Sequence, residues 1–367
     1  MDSKQLITDI LKKHPVERMG FGDKIWPEAE QNWRGQGYLQ KEKKETGEVE
    51  DVCFNDWFDA DMYEILNINT EPIMNYRETI TETDEWIVTK NGAGAIFKNW
   101  KNRTGTPEHI DFEMSSMEIW EEKYKPHLTK RNIDRLTIED TGKFLQECGQ
   151  RRKFSAYGNI FIWERLRGSL GDVRMFETLL DDTDWIHDFN RTYTDFFKVH
   201  LKYLFENCGV PDGMWLYDDL AYNHGLFCSP SVLKECFVPY YKEMVDFLHS
   251  YDIPVILHSC GNIEQALPII VECGFDALNP MEVKAGCDVV RFAENYGDKL
   301  SFIGGFDVRI LERGDKSEIK KEVIRICSAM RRLKAGYVFG TDHSVTPNVT
   351  YDSYCYALDV FKENMYY

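Results

Sequence analysis

The stretch that decides the fold reads Ile253-Pro-Val-Ile-Leu-His258-Ser-Cys260-Gly261. It begins as an apolar run of the kind that forms a buried strand, and it ends in a His-x-Cys pair. Because His258 and Cys260 are two residues apart, both side chains leave the same side of an extended chain. In barrel-type α/β proteins the strand ends and the loops after them build the active site. The stretch therefore predicts a buried strand with two potential metal ligands at its end.

Apolar runs alternate with helical patterns from residue 154 onward. The helical patterns cover residues 183–208, 230–250, 262–273 and 315–333, and Ser229-Pro230 is a typical helix start. This alternation predicts α/β architecture with a parallel sheet. Polar residues follow successive strands, which favours a (β/α)8 TIM barrel over an open sheet with one switch point. The predicted strands are residues 154–163, 214–218, 253–258, 276–280, 300–304 and 337–340.

The N-terminal third of the chain has a different pattern. Residues 84–100 contain two short strand-like runs around Asn91-Gly92, which is a hairpin turn signal. We interpret residues 1–130 as helices and a β-hairpin that decorate the barrel. Residues 131–367 then form the main part of the barrel, within one structural domain.

Composition excludes several classes of function. The net charge of −18 argues against nucleic-acid binding, which needs a basic surface. No run approaches about 18 consecutive apolar residues, so no membrane span is expected. The first fourteen residues lack the apolar core of a signal peptide, and the ten cysteines show no disulfide-like spacing. We therefore expect a cytoplasmic protein with reduced thiols.

Two further potential ligands follow strands of the same kind. Glu282 comes after the strand at 276–280, and His343 after the strand at 337–340. Together with His258 and Cys260 they form the donor set that zinc prefers, so we predict one Zn²⁺ site built from these four residues. The alternative is a buried thiol beside a hydrogen-bonded core histidine, and the position of His343 decides between the two.

Four aspartates at strand ends are candidates for catalysis. Asp218 and Asp219 follow the strand at 214–218, Asp307 follows Gly304-Gly305, and Asp342 precedes His343. Their predicted roles are substrate binding, proton transfer or orientation of a ligand histidine. The alternative for each is a carboxylate that caps a loop or helix. His224, Trp26, Tyr157 and Trp163 are more typical of packing or of a pocket wall.

The C-terminal half carries a set of motifs, found together over about residues 217–358. They are Leu257-His-Ser-Cys-Gly-Asn262, Gly274-Phe-Asp-Ala-Leu-Asn-Pro280, Ile303-Gly-Gly-Phe-Asp307 and Gly336-Tyr-Val-Phe-Gly340 with Asp342-His343. In combination they resemble the uroporphyrinogen decarboxylase superfamily. The resemblance implies a (β/α)8 barrel. The superfamily includes both a metal-free decarboxylase and zinc methyltransferases that serve corrinoid proteins or coenzyme M.

The resemblance to the zinc methyltransferases implies that His258, Cys260 and Glu282 are ligands. His343 stands where a cysteine is expected, which makes the predicted site harder and better suited to an oxygen ligand. We therefore predict transfer of a methyl group from an O-methyl donor, such as a methoxy-aromatic compound, to a corrinoid carried by a separate partner protein. The alternatives are a thiol-directed methyltransferase, a metal-independent decarboxylase and a non-catalytic tetrapyrrole-binding protein. The decarboxylase needs several cations for its substrate, and the N-terminal segment offers only Arg18 before Arg34.

Overall fold

The chain forms a curled, eight-stranded, all-parallel sheet surrounded by helices. The computed structural model describes residues 1–43, 47–102 and 107–367. The spatial order of the eight strands is β1-β8-β7-β6-β5-β4-β3-β2, which is consistent with a TIM-like barrel. In chain order the strands are β1 (Gly20–Phe21), β2 (Met62–Leu66), β3 (Phe154–Ile160), β4 (Gly213–Tyr217), β5 (Val255–Ser259), β6 (Ala277–Pro280), β7 (Ser301–Ile303) and β8 (Tyr337–Phe339).

Alternation along the strands separates two buried layers. Met214 and Leu216 of β4 pack in the large cluster between sheet and helices, whereas Trp215 belongs to a second cluster enclosed by the sheet. The parallel register places Trp215 beside Ile256 and Tyr217 beside His258. The side chains that share the enclosed side with Trp215 therefore continue upward to the carboxyl ends of the strands.

Helix Ser3–Leu11 covers the amino end of the enclosed cluster. Its apolar residues Leu6, Ile7, Ile10 and Leu11 are fully buried there. The hydroxyl of Ser301, at the start of β7, donates a hydrogen bond of 2.6 Å to the carbonyl of Ile10. Since this end of the sheet is filled, the open space lies at the carboxyl ends of the strands.

The two end strands of the sheet, β1 and β2, also approach each other. The amide of Asp61, just before β2, donates a hydrogen bond of 2.8 Å to the carbonyl of Phe21 in β1. The Asp61 carboxylate accepts a bidentate pair of hydrogen bonds from Arg18, both 2.8 Å, and a third from the Phe21 amide. This ion pair therefore fixes the N-terminal strands next to one another.

Helices connect successive strands, as the alternation predicts. One difference lies at residues 230–250, where two helices replace the predicted one. Phe237 departs from helical geometry, and Pro239 is the second residue of the second helix. Among the described residues, no helix has the length and apolar character needed to span a membrane. The α-helices are Ser3–Leu11, Pro27–Gly35, Phe54–Trp57, Met117–Ile119, Ile138–Arg151, Ile162–Asp181, Thr183–Asn207, Pro230–Cys236, Val238–His249, Leu267–Cys273, Val289–Tyr296, Val308–Arg313, Lys316–Leu333 and Tyr351–Asn364.

The N-terminal region contributes more to the sheet than the sequence predicts. Two of the eight strands, β1 and β2, lie before residue 130, so the predicted division at that residue does not follow the sheet. The same region holds a four-stranded antiparallel sheet, in which the middle two strands pair where a hairpin is predicted. Its strands are Arg77–Glu82, Trp86–Asn91, Ala95–Trp100 and Glu108–Phe112.

Candidate metal centre

Three potential metal ligands meet at the carboxyl ends of β4 and β5. The ligand atoms of Asp219, His258 and Cys260 all lie within 4.8 Å of one another. The Cys260 Sγ is 3.4 Å from the His258 Nε2, and that nitrogen is 3.8 Å from an Asp219 carboxylate oxygen. His258 and Cys260, at the end of β5, therefore share one side of the chain. Asp219, which follows the neighbouring strand β4, lies next to them.

Asn279 of β6 sets the orientation of the His258 ring. The Asn279 side-chain amide nitrogen donates to the carbonyl of Ile303 at 2.9 Å, which leaves its oxygen facing His258. That oxygen accepts a hydrogen bond of 2.6 Å from the His258 Nδ1. Since the proton is on Nδ1, the lone pair of Nε2 points toward Cys260, as a metal ligand requires.

Burial disfavours the charged form of both potential ligands. Burial lowers the pKa of His258 below its ordinary value of 6.5, although the negative charge of Asp219 opposes this. Burial and the negative charges of Asp219 and Glu282 raise the pKa of the Cys260 thiol far above its usual range. A cation among these groups would favour the thiolate, because it would offset the same negative charges.

The other two predicted ligands lie outside the three-residue cluster. Glu282 is buried, and its carboxylate accepts a hydrogen bond of 2.8 Å from the amide of Gly261, beside Cys260. His343 is exposed on the loop after β8, and its ring stacks on Trp26 with the ring centroids 6.2 Å apart. The exposed position of His343 thus does not favour the four-residue site predicted from the sequence. The third potential ligand in the cluster is instead Asp219, which the sequence predicts as catalytic.

The predicted catalytic role of the other three aspartates is not supported by their contacts. Asp218 is buried and accepts hydrogen bonds from the Glu164 amide and the Tyr241 hydroxyl. Asp307 caps the helix Val308–Arg313 and pairs with the guanidinium of Arg309. Each carboxylate is engaged by the surrounding chain, so these contacts position loops.

Asp342 ties two of the loops at the strand ends together. One of its oxygens accepts from the amide of Val283, and the other accepts from the amide of Val308, both at 2.9 Å. These amides follow β6 and β7, whereas Asp342 itself follows β8. Burial raises the pKa of Asp342, while the two amide hydrogen bonds act in the opposite direction. Its contacts therefore hold the rim of the site in place.

A cavity of about 260 Å³ opens above the enclosed cluster and contains the side chains of His258 and Cys260. Its wall includes functional groups that the sequence reasoning missed, namely Lys24 after β1 and Glu64 of β2. No alternation marks Glu64 in Met62-Tyr-Glu-Ile-Leu66, because that run is short and mostly apolar. The lining residues are Gly22, Asp23, Lys24, Asn55, Met62, Tyr63, Glu64, Trp215, Tyr217, His258, Cys260, Asn279, Pro280, Ile303, Gly304, Thr341, His343 and Ser344.

A curled parallel sheet with potential metal ligands in a cavity at its carboxyl ends defines a barrel-type enzyme. The sequence profile described as uroporphyrinogen decarboxylase (URO-D) matches residues 167–363, which is more than half of the chain. The chain therefore belongs to the uroporphyrinogen decarboxylase family, and the resemblance inferred from its motifs is confirmed. A comparison with curated proteins gives no match.

Solved structures support the fold over the whole chain. A methyltransferase from Methanosarcina mazei has a TM-score of 0.67 and 15% sequence identity, and the match covers 99% of each chain. An AP endonuclease of family 2 from Brucella melitensis has a TM-score of 0.34 and 12% identity, covering 56% of this chain and 78% of that one. A B12-independent methionine synthase from Shewanella sp. W3-18-1 also has a TM-score of 0.34, with 10% identity and coverage of 78% and 74%. At these identities the likeness concerns the fold.

Proposed function

We propose that this chain is a zinc-dependent methyltransferase that takes a methyl group from a small O-methyl donor. The favoured donor is a methoxy-aromatic compound, and the proposed acceptor is the corrinoid of a separate protein. The observation that carries the proposal is the cluster of Asp219, His258 and Cys260, of which His258 and Cys260 line the cavity. Family membership and the overall likeness to a methyltransferase support the same class of reaction.

The spacing of the cluster fits a zinc ion. Bonds of about 2.3 Å to sulfur and about 2.0 Å to nitrogen place the two ligand atoms of a tetrahedral site about 3.5 Å apart. The distance between Cys260 Sγ and His258 Nε2 is 3.4 Å. The distance of 3.8 Å from His258 Nε2 to Asp219 is somewhat longer than the roughly 3.4 Å expected for nitrogen and oxygen ligands. We therefore propose His258, Cys260 and Asp219 as ligands. Glu282 and His343, which the sequence also predicts as ligands, lie outside this cluster.

The donor set favours oxygen chemistry. It contains one thiolate, whereas sites that activate thiols are richer in sulfur, so thiol-directed transfer is the weaker alternative. When bound, zinc would act as a Lewis acid toward the oxygen of the methyl donor. In the proposed reaction the bond between that oxygen and the methyl carbon breaks, and the methyl group passes to the Co(I) nucleophile of the partner. The leaving oxygen keeps the bonding electron pair and takes up a proton.

This chain's own residues orient the site for that reaction. Asn279 holds the tautomer of His258, and Glu282 holds the Gly261 amide next to Cys260. Of the aspartates predicted to handle the proton, Asp219 is the one whose carboxylate lies in the cluster. We therefore assign to Asp219 either coordination or transfer of the proton to the leaving oxygen.

Decarboxylation of a substrate with many carboxylates is less well supported. Such a substrate needs several cations to bind it. Among the described residues that line the cavity, Lys24 is the only lysine or arginine, and its ammonium is 2.7 Å from the Glu64 carboxylate. The wall therefore offers no free cation for even one substrate carboxylate.

Metal content and methyl transfer test the proposal together. We would measure zinc by plasma mass spectrometry, and methyl transfer from a methoxyphenol to free cob(I)alamin, in wild type, Cys260→Ala and Cys208→Ala. Cys208 is a matched control, because its thiol bonds the carbonyl of Ile138, on the helical side of the sheet. We expect near-stoichiometric zinc and transfer in wild type and control, and loss of both in Cys260→Ala. Wild type without zinc after reconstitution, or full transfer by Cys260→Ala, would contradict the proposal.

A further inference from the structure

An ion pair between Lys24 and Glu64, with the Lys24 side chain about half exposed, lies in the wall of the cavity that His258 and Cys260 also line. The Lys24 ammonium is 2.7 Å from one oxygen of Glu64, and the Tyr217 hydroxyl lies 2.7 Å from both oxygens of the same carboxylate. Lys24 also contacts the Tyr217 hydroxyl directly. The positive charge of Lys24 is thus neutralised within the wall before any ligand enters.

The aromatic rings beneath Lys24 hold its ammonium in the wall. The ammonium lies 4.8 Å from the ring centroid of Trp215 and 4.6 Å from that of Tyr217, within the range of cation–π attraction. Glu64 is held from the opposite side. A Cβ at Gly158 of β3 would lie 1.7 Å from the Glu64 carboxylate, so the glycine provides the space that Glu64 occupies. The pair is a built feature, since three strands contribute to it.

Besides Lys24 and Glu64, the wall has an apolar part, several polar side chains and one further carboxylate. Met62, Trp215, Pro280 and Ile303 supply apolar surface of a size suited to a ring, since a cavity of roughly 150 Å³ already holds benzene. The acidic group is Asp23, beside Lys24 in the chain, which accepts hydrogen bonds from Thr341 and Tyr354. In the proposed reaction the methoxy oxygen faces the ligand cluster, so a carboxylate elsewhere on the ring would meet Asp23 and Glu64 and no unpaired lysine or arginine of the described lining. Burying it there is unfavourable.

We propose that the cavity selects uncharged methoxyarenes, such as simple methoxyphenols, and rejects methoxybenzoates. Glu64 is the specificity-determining residue, because it keeps the charge of Lys24 from a substrate carboxylate. This inference rests on the proposed function, since it names the donor class of the same site. It concerns ligand binding, so it is measurable without methyl transfer.

Equilibrium binding of two matched probes tests the inference. We would titrate 3-methoxyphenol and 3-methoxybenzoate into the full chain by isothermal calorimetry, with wild type, Glu64→Gln and Lys24→Met. In wild type we expect the phenol to bind at least about tenfold more tightly than the benzoate. Glu64→Gln keeps the shape of the side chain but frees the charge of Lys24, so the benzoate should gain about tenfold while the phenol changes little.

The Lys24→Met variant keeps the inference falsifiable if Glu64→Gln does not fold. It leaves Glu64 unpaired, so benzoate binding should weaken further, while phenol binding is retained. Equal or tighter binding of the benzoate by wild type, or binding of neither ring, would overturn the inference. An unchanged benzoate affinity in a folded Glu64→Gln would also overturn it. Failure of the proposed function shows separately, as absence of zinc or of methyl transfer with the ring preference intact.

Discussion

The hydrogen bond between Asn279 and His258 gives the sharpest test of the metal centre. Replacing Asn279 by alanine removes the side-chain oxygen that lies 2.6 Å from the His258 Nδ1 and accepts its proton. It also removes the amide that donates to the Ile303 carbonyl. The imidazole is then free to rotate or to change tautomer, and Nε2 loses its fixed direction toward Cys260. Loss of such an outer hydrogen bond lowers metal affinity by about 10- to 100-fold, or roughly 1.4–2.7 kcal/mol.

The assay is a competition titration of zinc against a chromophoric chelator. Asn279→Asp retains an acceptor for Nδ1, so its zinc affinity should stay within about threefold of wild type. Asn295→Ala is the matched control, because Asn295 is exposed and its amide bonds its own helix at Arg291. An affinity of Asn279→Ala within about threefold of wild type would refute the assigned role of Asn279. So would an equal loss in the alanine and aspartate variants.

Three further outcomes are expected. Burial would raise the pKa of Asp61, but its hydrogen bonds, first of all from Arg18, lower it below 3.8. This contribution to stability is therefore present at neutral pH and is lost as the pH falls through the lowered pKa. Asp61→Ala should therefore lower the free energy of unfolding by about 3–5 kcal/mol at pH 7 and flatten its acid dependence in urea titrations; an unchanged midpoint would contradict this. Gly158→Ala should displace Glu64 and cost about 1–3 kcal/mol, seen as a lower melting temperature; an unchanged melting temperature would refute this. Because His343 lies outside the ligand cluster, His343→Ala should keep its zinc in mass spectrometry, and zinc loss would restore the assignment made from the sequence.

The C-terminal half of the sheet could be predicted from local patterns. Strands β4 to β8 are apolar runs separated by helices with recognisable starts, such as Ser229 before Pro230. The Ser229 hydroxyl accepts a hydrogen bond from the amide of Val232, as expected for a helix cap. A strand that is buried on both faces has a continuous run of apolar residues, which can be recognised in the sequence. The pair His258 and Cys260 could also be predicted, since a spacing of two residues fixes the side on which both emerge.

The N-terminal strands could not be predicted in the same way. β1 has only two residues, Gly20 and Phe21, and β2 places an apolar Met62 and a polar Glu64 on the same side. A run so short carries too little periodicity to be distinguished from a loop. The structure shows both strands in the sheet because they pair with β8 and β3, which are remote in the chain.

The sequence by itself determined the α/β class, the family and the two potential ligands at the end of one strand, because each depends on residues close together in the chain. Only the tertiary structure decided that Asp219 completes the cluster, whereas His343 stacks on Trp26. It also decided that Lys24 and Glu64 meet across the cavity. The physical reason is that the position of a side chain at the mouth of a curled sheet depends on strand order and register, which are set by long-range packing.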